Sequence, residues 1–458
     1  MKRILVLFYI QISLLGFASA QTDSSYSLQK CIDYALQNES NLKNAQIDTE
    51  IAQAKIRETK AIGYPQIEGN LSMVDNPALQ KMFFSPTNPF VAGSSGSPTP
   101  GAKKSGDVIV LDNIFQLRSA GDANAQLSQL IFDGSYVVGL QAAATYGDLS
   151  KKTLARTKIE TVEHVTKAYY AALIAEESSK MFKINLMRLD STLYDLKEYY
   201  KNGLVEEIDV KRLEVQYNNL KTEKENAENL LQLSTLALKL SMGMPLEMPI
   251  TLQDSLNSME IDAQALGEEN LDITQRIEFS LLETQEKLAY LDLKRYKYSR
   301  LPSLAAFAKG GMIRQDVKFT NLVKNEWFGY AMLGISMKVP ILDFTRHYKI
   351  QQARYATEQI KNGKFALENG LKMEAQTSKL NFNNSLKKME TQKRNLELAE
   401  EVVKVSKIKY KEGVGSNIEV VNAEADLQEA QINYYGALYD AMVAKINHQK
   451  ATGKLYNE

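Results

Sequence analysis

The sequence predicts a mainly α-helical protein with a small β part, built from two copies of one structural unit. Long stretches with helical periodicity contain almost no proline or glycine, and four short stretches alternate apolar with polar residues. Both kinds of stretch recur in the two halves of the 458-residue chain. We therefore expect duplicated helix-strand-strand-helix-helix units.

The first twenty residues, MKRILVLFYIQISLLGFASA, have the features of a secretory signal peptide. Residues 2–3 are positively charged, residues 4–17 are apolar, and residues 18–20 (ASA) form a small-residue cleavage site. A membrane anchor is the alternative, but the apolar run is short for a span. We predict that residues 1–20 are removed and that the mature protein is exported.

From Asp133 and Asp343 onward, about 110 residues of the two copies align without a gap at a constant spacing of 210 residues, whereas the upstream stretches that start at Tyr64 and Leu301 are 237 residues apart. One coincidence at such a spacing would mean little, but many matched positions in one register indicate a duplication. The first copy is predicted to occupy residues 21–243, the second residues 271–458, with a linker at 244–270. The matches at this spacing include Asp133 with Asp343, Gln141 with Gln351, Asn185 with Asn395, Tyr200 with Tyr410, Gly203 with Gly413, Glu214 with Glu424 and Gly243 with Gly453.

Each copy begins with a helix and contributes two predicted strands, at about 64–75 and 123–132 in the first copy and 302–313 and 328–340 in the second. In QIEGNLSM, for example, Ile67, Leu71 and Met73 fall on one face and polar residues on the other. A single strand of this kind would suit a soluble sheet. Four of them in an exported, otherwise helical chain favour a sheet that faces lipid. The Pro/Gly/Ser-rich stretch 75–106 reads as an exposed loop between the first two strands.

Two long helical hairpins complete the copies, at 134–243 and 344–453. A helix of about 65 residues would be roughly 100 Å long, and patterns of this length indicate coiled-coil packing. The returning helices carry apolar residues at alternating spacings of four and three. This seam (Leu213, Tyr217, Leu220, Lys224, Ala227, Leu231, Ser234 and Leu238) recurs 210 residues later, where it is rich in alanine. Because small residues let helices approach closely, we expect the two hairpins to pack differently.

Composition and motifs give no support for an enzyme or a nucleic-acid-binding protein. The 55 basic and 55 acidic residues balance, whereas nucleic-acid binders usually carry a basic excess. Three dispersed histidines and one cysteine, Cys31, form no metal-binding motif, and phosphate-loop and GxSxG signatures are absent from the sequence. We predict no catalytic residues, no metal and no cofactor.

Both hairpins turn at a glycine, in YKNGLVEEID and YKEGVGSNIE. Gly413 can adopt the left-handed conformation that ends a helix. After the second turn, Ser416 and Glu419 form a capping box that starts the next helix.

Taken together, these residues resemble the TolC-type family of outer-membrane efflux proteins over nearly the whole mature chain. The resemblance is carried by ALQNESNL near Ala35, the strand starts YPQI and LPSL, VPILDF near Asp343, and YKEGVGSNIEVVNAEADL. Ser40 departs from the usual proline of that family.

The resemblance implies a homotrimer in the outer membrane that extends into the periplasm. Each chain would give four strands to a shared twelve-stranded β-barrel, continued by a periplasmic α-helical barrel with residues 244–270 in a belt around it. Such a channel would export small molecules passively from an inner-membrane pump, of RND or ABC type, through a periplasmic adaptor protein.

The resemblance also implies roles for the hairpin tips. Tyr410 and Asp209 match a pair that holds the periplasmic end of relatives closed. Glu419 and Asn422 match two acidic positions that narrow the tunnel, and a basic partner found in some relatives is replaced by Gly415 here. The adaptor contact would include the tip residues Gly203, Glu206, Glu207, Gly413, Gly415 and Ser416. The alternative for these acidic side chains is simple helix capping.

Two other functions stay open at this point. One is a channel for type I protein secretion, since the pump would choose the cargo. The other is an exported coiled-coil structural or adhesion protein, against which the alternating strands and the duplication both count. Efflux of heavy metals is disfavoured because the methionines and histidines do not cluster.

Overall fold

The computed structural model describes residues 25–88, 102–113, 115–256 and 272–456. The predicted signal peptide, most of the Pro/Gly/Ser-rich loop and residues 257–270 of the predicted linker lie outside these residues. No helix within the described ranges combines the length and apolar composition needed to cross a membrane.

The helices follow the order expected from the sequence, and the two longest contain 68 residues each. Helix, strand, strand, helix and helix recur in both copies, which confirms the predicted duplicated unit. A 3₁₀ turn, Ile273–Gln275, precedes the first helix of the second copy. The α-helices are α1 (Leu28–Asn38), α2 (Ser40–Ala61), α3 (Gly134–Lys201), α4 (Glu207–Met242), α5 (Ile277–Tyr298), α6 (Phe319–Lys324), α7 (Phe344–Lys411) and α8 (Asn417–Ala451).

The described part of the chain contains nine strands in three sheets. The largest has four antiparallel strands in the order β2-β6-β8-β9, so that strands from the two copies meet between β6 and β8. The short strands β1 and β7 pair in parallel. The strands are β1 (Ser25–Tyr26), β2 (Gln66–Asp75), β3 (Lys81–Phe84), β4 (Lys103–Ser105), β5 (Val108–Asp112), β6 (Ser119–Phe132), β7 (Thr251–Leu252), β8 (Ser303–Asp316) and β9 (Phe328–Lys338).

The four-stranded sheet has one apolar and one mainly polar face. Register places Ile67 opposite Leu127, Leu127 opposite Ala308 and Ala308 opposite Leu333, in a row that crosses all four strands. Neighbouring rows on the same face contain Leu71, Ala123, Met312, Ala306 and Ile335. The opposite face carries Glu68, Asn70, Asp122, Asn124, Gln126 and Lys309. Leu333 is 83% exposed and Ile67 76% exposed within one chain, so this apolar face is uncovered on both outer strands of the sheet.

Two details differ from the sequence-based expectation. The segment expected to be a plain loop contributes strands β3 and β4, which pair with β5 in a small separate sheet. The connection from β8 to β9 contains α6, a helix that the sequence did not predict. Both elements are too short to show a clear periodicity in the sequence.

The chain forms two compact units, and each takes segments from both copies. The first contains the described residues within 1–51, 148–286 and 359–458, and the second contains those within 52–147 and 287–358. The core of the first unit surrounds Tyr169, Leu238 and Met242, which are fully buried together with Cys31. Burial, followed by the charge of Asp254, raises the pKa of the Cys31 thiol to about 12.

The end of α8 is held in the first unit by a buried arginine. Arg276 donates to the backbone oxygen of Ala451 at 2.6 Å and forms ion pairs with Glu278 and Glu374 at 2.9 and 3.2 Å. Its side chain is only 5% exposed, so the two carboxylates compensate the cost of burying the charge.

Candidate functional site: the tips of the helical hairpins

The first tip is a tight glycine turn between α3 and α4. Gly203 has a φ of 73°, the left-handed conformation that glycine adopts without a steric penalty. Its N–H donates to Tyr200 at 2.9 Å, and the N–H of Leu204 donates to Tyr199 at 2.9 Å. This pair of bonds satisfies carbonyls at the end of α3 and is the arrangement that commonly ends helices.

The second tip repeats this turn between α7 and α8. Gly413 has a φ of 77°, and its N–H donates to Tyr410 at 3.1 Å. The backbone oxygen of Lys409 accepts from the N–H of Val414 at 3.0 Å and from the N–H of Gly415 at 3.1 Å. The expected left-handed glycine of the sequence analysis is therefore present.

The two tips start their second helix differently. The side chain of Ser416 accepts from the backbone N–H of Glu419 at 3.4 Å, which is one half of the predicted capping box. Glu206, in the corresponding position of the first tip, makes no side-chain capping bond. Val205 stands where the second tip has Gly415, beside which a side chain would come within 2.9 Å of Lys409 Cβ. The second turn is therefore more tightly closed than the first.

Each hairpin is also joined by an ion pair at equivalent positions. Lys197 and Glu214 lie 2.7 Å apart in the first hairpin, and Lys407 and Glu424 lie 2.5 Å apart in the second. The residues of the two pairs are related by the spacing of 210. Sequence reasoning identified the match between the two glutamates but not their partners, although the same spacing relates the two lysines.

A cleft of about 720 Å³ lies between the two tips. The first hairpin lines it with Leu196, Tyr199 and Val205, and the second with Lys407, Tyr410 and Asn417. Tyr199 was not singled out from the sequence, because only the pairing of the two hairpins brings it beside Tyr410.

Tyr410 and Asp209 are near each other but not hydrogen-bonded within the described part of one chain. Burial raises the pKa of Tyr410, and the charges of Tyr199 and Asp209 add to the effect. Asp209 lies 3.8 Å from Arg212 on its own helix, a long contact for an ion pair. Tyr410 is therefore a neutral phenol at the cleft, with a carboxylate close by.

The remaining predicted tip residues face solvent. Glu419 and Asn422 are exposed on the first turns of α8, and Glu206 and Glu207 are exposed at the start of α4. Glu207 pairs with Lys211 at 2.8 Å. In the described ranges no group of three or more histidine, cysteine or acidic side chains is arranged to hold a metal ion.

Comparison with known proteins identifies the family. The model of the outer membrane efflux protein family matches residues 31–244 and 286–454, which include both tips and all four strands of the large sheet. The chain belongs to this family. It is an outer-membrane efflux channel that extends into the periplasm, and the family consists of channels, not enzymes.

Individual relatives of this efflux family are distant in sequence but close in fold. Outer membrane protein TolC of Vibrio cholerae is 20% identical over 339 residues, which cover 73% of this chain and 76% of that protein. The outer membrane protein VceC of V. cholerae superposes with a TM-score of 0.71 at 14% identity, covering 93% of this chain and 96% of VceC. The CmeC outer membrane channel of Campylobacter jejuni gives 0.72 at 15% identity, covering 94% and 86%.

Proposed function

We propose that three copies of this chain close a twelve-stranded barrel in the outer membrane and form a passive exit duct for small molecules. The observation that carries the proposal is the four-stranded sheet, which has an apolar face, a polar face and two free edges. The long helices of the chain would continue the duct into the periplasm. An inner-membrane pump would supply the cargo through a periplasmic adaptor protein.

The free edges require partners in a membrane. Within the described residues, the outer edges of β2 and β9 pair with no other strand. Each exposes backbone N–H and C=O groups over ten or eleven residues, and each unsatisfied group in lipid costs several kcal/mol. Pairing β9 of one copy with β2 of the next satisfies both edges, and three copies make twelve strands.

The two faces of the sheet suit such a barrel. The apolar face, with Ile67, Leu71, Leu333 and Ile335 exposed, would contact lipid. The polar face would line the lumen. There the hydroxyl of Tyr330 donates to Asp122 at 3.0 Å, and Lys309 lies over the Tyr330 ring.

The assembly is tested by the mass of the detergent-solubilised protein. Native mass spectrometry is expected to give three chains, and chemical crosslinking a ladder that ends at the trimer. A stable monomer at concentrations where the protein remains folded would overturn the barrel.

The cargo is tested in cells. Deletion of the gene is expected to raise sensitivity to dyes and antibiotics and to increase their accumulation, and plasmid expression should restore both. If tolerance is unchanged but an exported protein is retained in the cell, the channel serves type I secretion instead.

We assign the periplasmic gate to Tyr410, Asp209, Glu419 and Asn422. The support is that Tyr410 lines the cleft between the tips and that the charge of Asp209 contributes to the raised pKa of Tyr410. In the trimer, three copies of Asp209 and Glu419 would place negative charge near the axis and favour cations.

Planar-bilayer conductance tests the gate. Asp209→Ala and Glu419→Ala are expected to increase opening and reduce cation selectivity, whereas Glu225→Ala, which removes an exposed charge in the middle of α4, should change neither. Unchanged opening and selectivity in both tip variants would remove the gate assignment without affecting the barrel.

The exposed tips are also our candidate for the adaptor contact. They comprise the turn glycines Gly203, Gly413 and Gly415 with the polar residues Glu206, Glu207 and Ser416. Reversing the charge of Glu206 and Glu207 with Arg is expected to weaken crosslinking to the adaptor in the periplasm. If the variant crosslinks to the adaptor as strongly as the unaltered protein does, the adaptor contact does not involve these two residues.

A further inference from the structure

The connection between β8 and β9 folds back onto the apolar face of the large sheet. Residues 317–327, here called the rim segment, contain α6, which packs on the two central strands β6 and β8. Leu322 of α6 is fully buried there. The single tryptophan of the chain, Trp327, ends the segment.

The position of Trp327 shows which face is covered. A side chain at Gly121 would come within 2.5 Å of Cη2 of Trp327, so the indole ring lies directly over this glycine. Gly121 stands opposite Met73 on one side and Arg314 on the other. By strand alternation it shares its face with Ala123, Ala125 and Leu127. The rim segment therefore lies on the face that contains the apolar rows.

Hydrogen bonds hold the segment in this place. Trp327 donates through Nε1 to the backbone oxygen of Leu322 at 2.7 Å. Arg314 donates to the backbone oxygen of Glu326 at 2.7 Å and to Asp316 at 2.6 Å. Asp316 in turn accepts from the side chain of Asn321 at 2.8 Å. The segment is thus an ordered part of the sheet surface.

The rim segment lies where the apolar face of the sheet ends. Along β8, the residues on this face are apolar or glycine from Leu304 to Met312, and the next two are Arg314 and Asp316. A nine-residue stretch is about the length of tilted strand that crosses the hydrocarbon core. This boundary lies at the end of the sheet opposite the long helices, which extend into the periplasm, and therefore at the outer leaflet.

The outer surface of the rim segment is amphipathic. Val317, Phe319 and Val323 are 64%, 43% and 74% exposed, and the exposed Lys318 and Lys324 lie between and beside them. Tryptophan, apolar side chains and lysine are the residues that bind the interface between headgroups and acyl chains. Because α6 covers the two central strands, a neighbouring copy joined at the sheet edges would leave it uncovered.

We propose that the rim segment is a membrane-surface anchor, which inserts its apolar side chains at the headgroup boundary of the outer leaflet and binds lipid phosphates through Lys318 and Lys324. The proposal rests on the proposed function, since it requires the apolar face of the sheet to contact lipid. It adds a lipid-binding site at one end of that face.

Fluorescence of the single tryptophan tests the position of the segment. The full-length protein is reconstituted into phosphatidylcholine vesicles whose acyl chains carry bromine either at a shallow or at a deep position. Shallow bromines are expected to quench Trp327 about twofold more than deep ones, as for a residue at the interface. A second variant, Trp327→Phe with Leu333→Trp, moves the probe to the middle of the apolar face and should show the reverse order.

The two probes separate the possible failures. If the probe at 333 is quenched and Trp327 is not, the sheet contacts lipid and the anchor is wrong. If neither is quenched, the lipid-facing barrel fails and the anchor fails with it. Stronger quenching of Trp327 by deep bromines than by shallow ones would also overturn the interfacial position.

Lipid charge tests the lysines. In mixed vesicles that contain a minor fraction of brominated phosphatidylglycerol, Trp327 should be quenched about twofold more than random mixing predicts. Lys318→Gln with Lys324→Gln is expected to abolish this excess. The matched control, Lys221→Gln with Lys372→Gln, removes two exposed charges from α4 and α7 and should retain it. An excess that persists in the first double variant would overturn phosphate binding by these lysines.

Discussion

The two helical hairpins carry the same seam but bury very different side chains in it. In the first hairpin, Leu213, Leu220 and Leu238 are nearly inaccessible, and a cluster of nine buried hydrophobic residues runs along α3 and α4. In the second, the equivalent positions are Ala423, Ala430 and His448, and the corresponding buried cluster has three members. On the second hairpin's α7, Leu380, Leu398 and Val402 are at least half exposed.

This difference in buried side chains suits the two hairpins to different structural roles. The first hairpin has a cluster of large buried side chains between its helices. The second has smaller residues at the equivalent seam positions, although Phe382 of α7 is fully buried. In the proposed trimer the neighbouring copy would cover exposed apolar side chains of α7 such as Leu398, and the less filled seam makes the second hairpin the more suitable element to move.

The largest expected effect tests the core of the first hairpin. Leu213→Ala should destabilise α3 and α4 by about 2–5 kcal/mol, because it leaves a cavity at a fully buried position. Amide hydrogen exchange of α4 measures the loss. Ala423→Gly, which removes the smaller side chain at the equivalent position of α8, should cost only about 1 kcal/mol in the second hairpin. Equal costs at the two sites would contradict the difference between the hairpins.

A smaller effect is expected where the turns differ. Gly415→Val should destabilise the second tip by about 1–3 kcal/mol, because the new Cβ would lie 2.9 Å from Lys409 Cβ and 3.1 Å from the Lys409 carbonyl carbon. Limited proteolysis should then cut near residue 413. The reciprocal change Val205→Gly should leave cleavage at the second tip unaltered. Resistance of the Gly415→Val protein would show that the turn can relax around the side chain.

The two equivalent ion pairs should contribute unequally. Glu424 has a side chain that is 13% exposed, whereas that of Glu214 is 43% exposed. Lys407→Gln leaves the less exposed carboxylate unpaired and should cost about 1 kcal/mol, against about 0.3 kcal/mol for Lys197→Gln. Thermal melting of the two variants in low and high salt measures both losses of stability. A larger loss for Lys197→Gln than for Lys407→Gln would contradict the expected order.

The smallest effect at neutral pH is expected at Tyr410. Its pKa is raised above the ordinary value of 10.0 in the folded protein, first by burial and then by Tyr199 and Asp209. A raised pKa means that this stabilisation is complete below the ordinary tyrosine value and is lost as the pH rises through the raised one. Tyr410→Phe should therefore change stability by less than about 0.5 kcal/mol at pH 7 and make the second tip less sensitive to alkali.

Amide hydrogen exchange of α8, followed from pH 8 to the highest pH at which the protein stays folded, measures the alkaline loosening of the second tip. Tyr200→Phe, at the equivalent position of the first tip, is the matched control and should keep the alkaline loosening. If both variants loosen in the same way as the unaltered protein, another group titrates.

Much of this architecture could be predicted from the sequence because it depends on local signals. The duplication, the strands and the seam follow from spacing, and Gly413 follows from the need for a left-handed residue. What could not be predicted depends on how distant segments meet. The contact of Trp327 with Gly121 and the proximity of Tyr199 to Tyr410 involve residues that no periodicity connects.

The candidate gate illustrates the same limit. The sequence resemblance indicated Tyr410 and Asp209 as a pair, and the structure brings them into one neighbourhood without a hydrogen bond. Whether a hydrogen bond forms between Tyr410 and Asp209 depends on side-chain rotamers and on neighbouring copies, and a local sequence pattern encodes neither. The roles of these residues therefore stay a prediction for conductance measurements.

The buried Cys31 has a practical consequence for all such measurements. A thiol that is fully enclosed and has a pKa near 12 carries almost no thiolate at neutral pH, so maleimides and oxidants should not reach it or react with it. The natural chain is thus already a silent background for site-directed labelling. A cysteine introduced at either tip could receive a spin label or a fluorophore without first removing the native one.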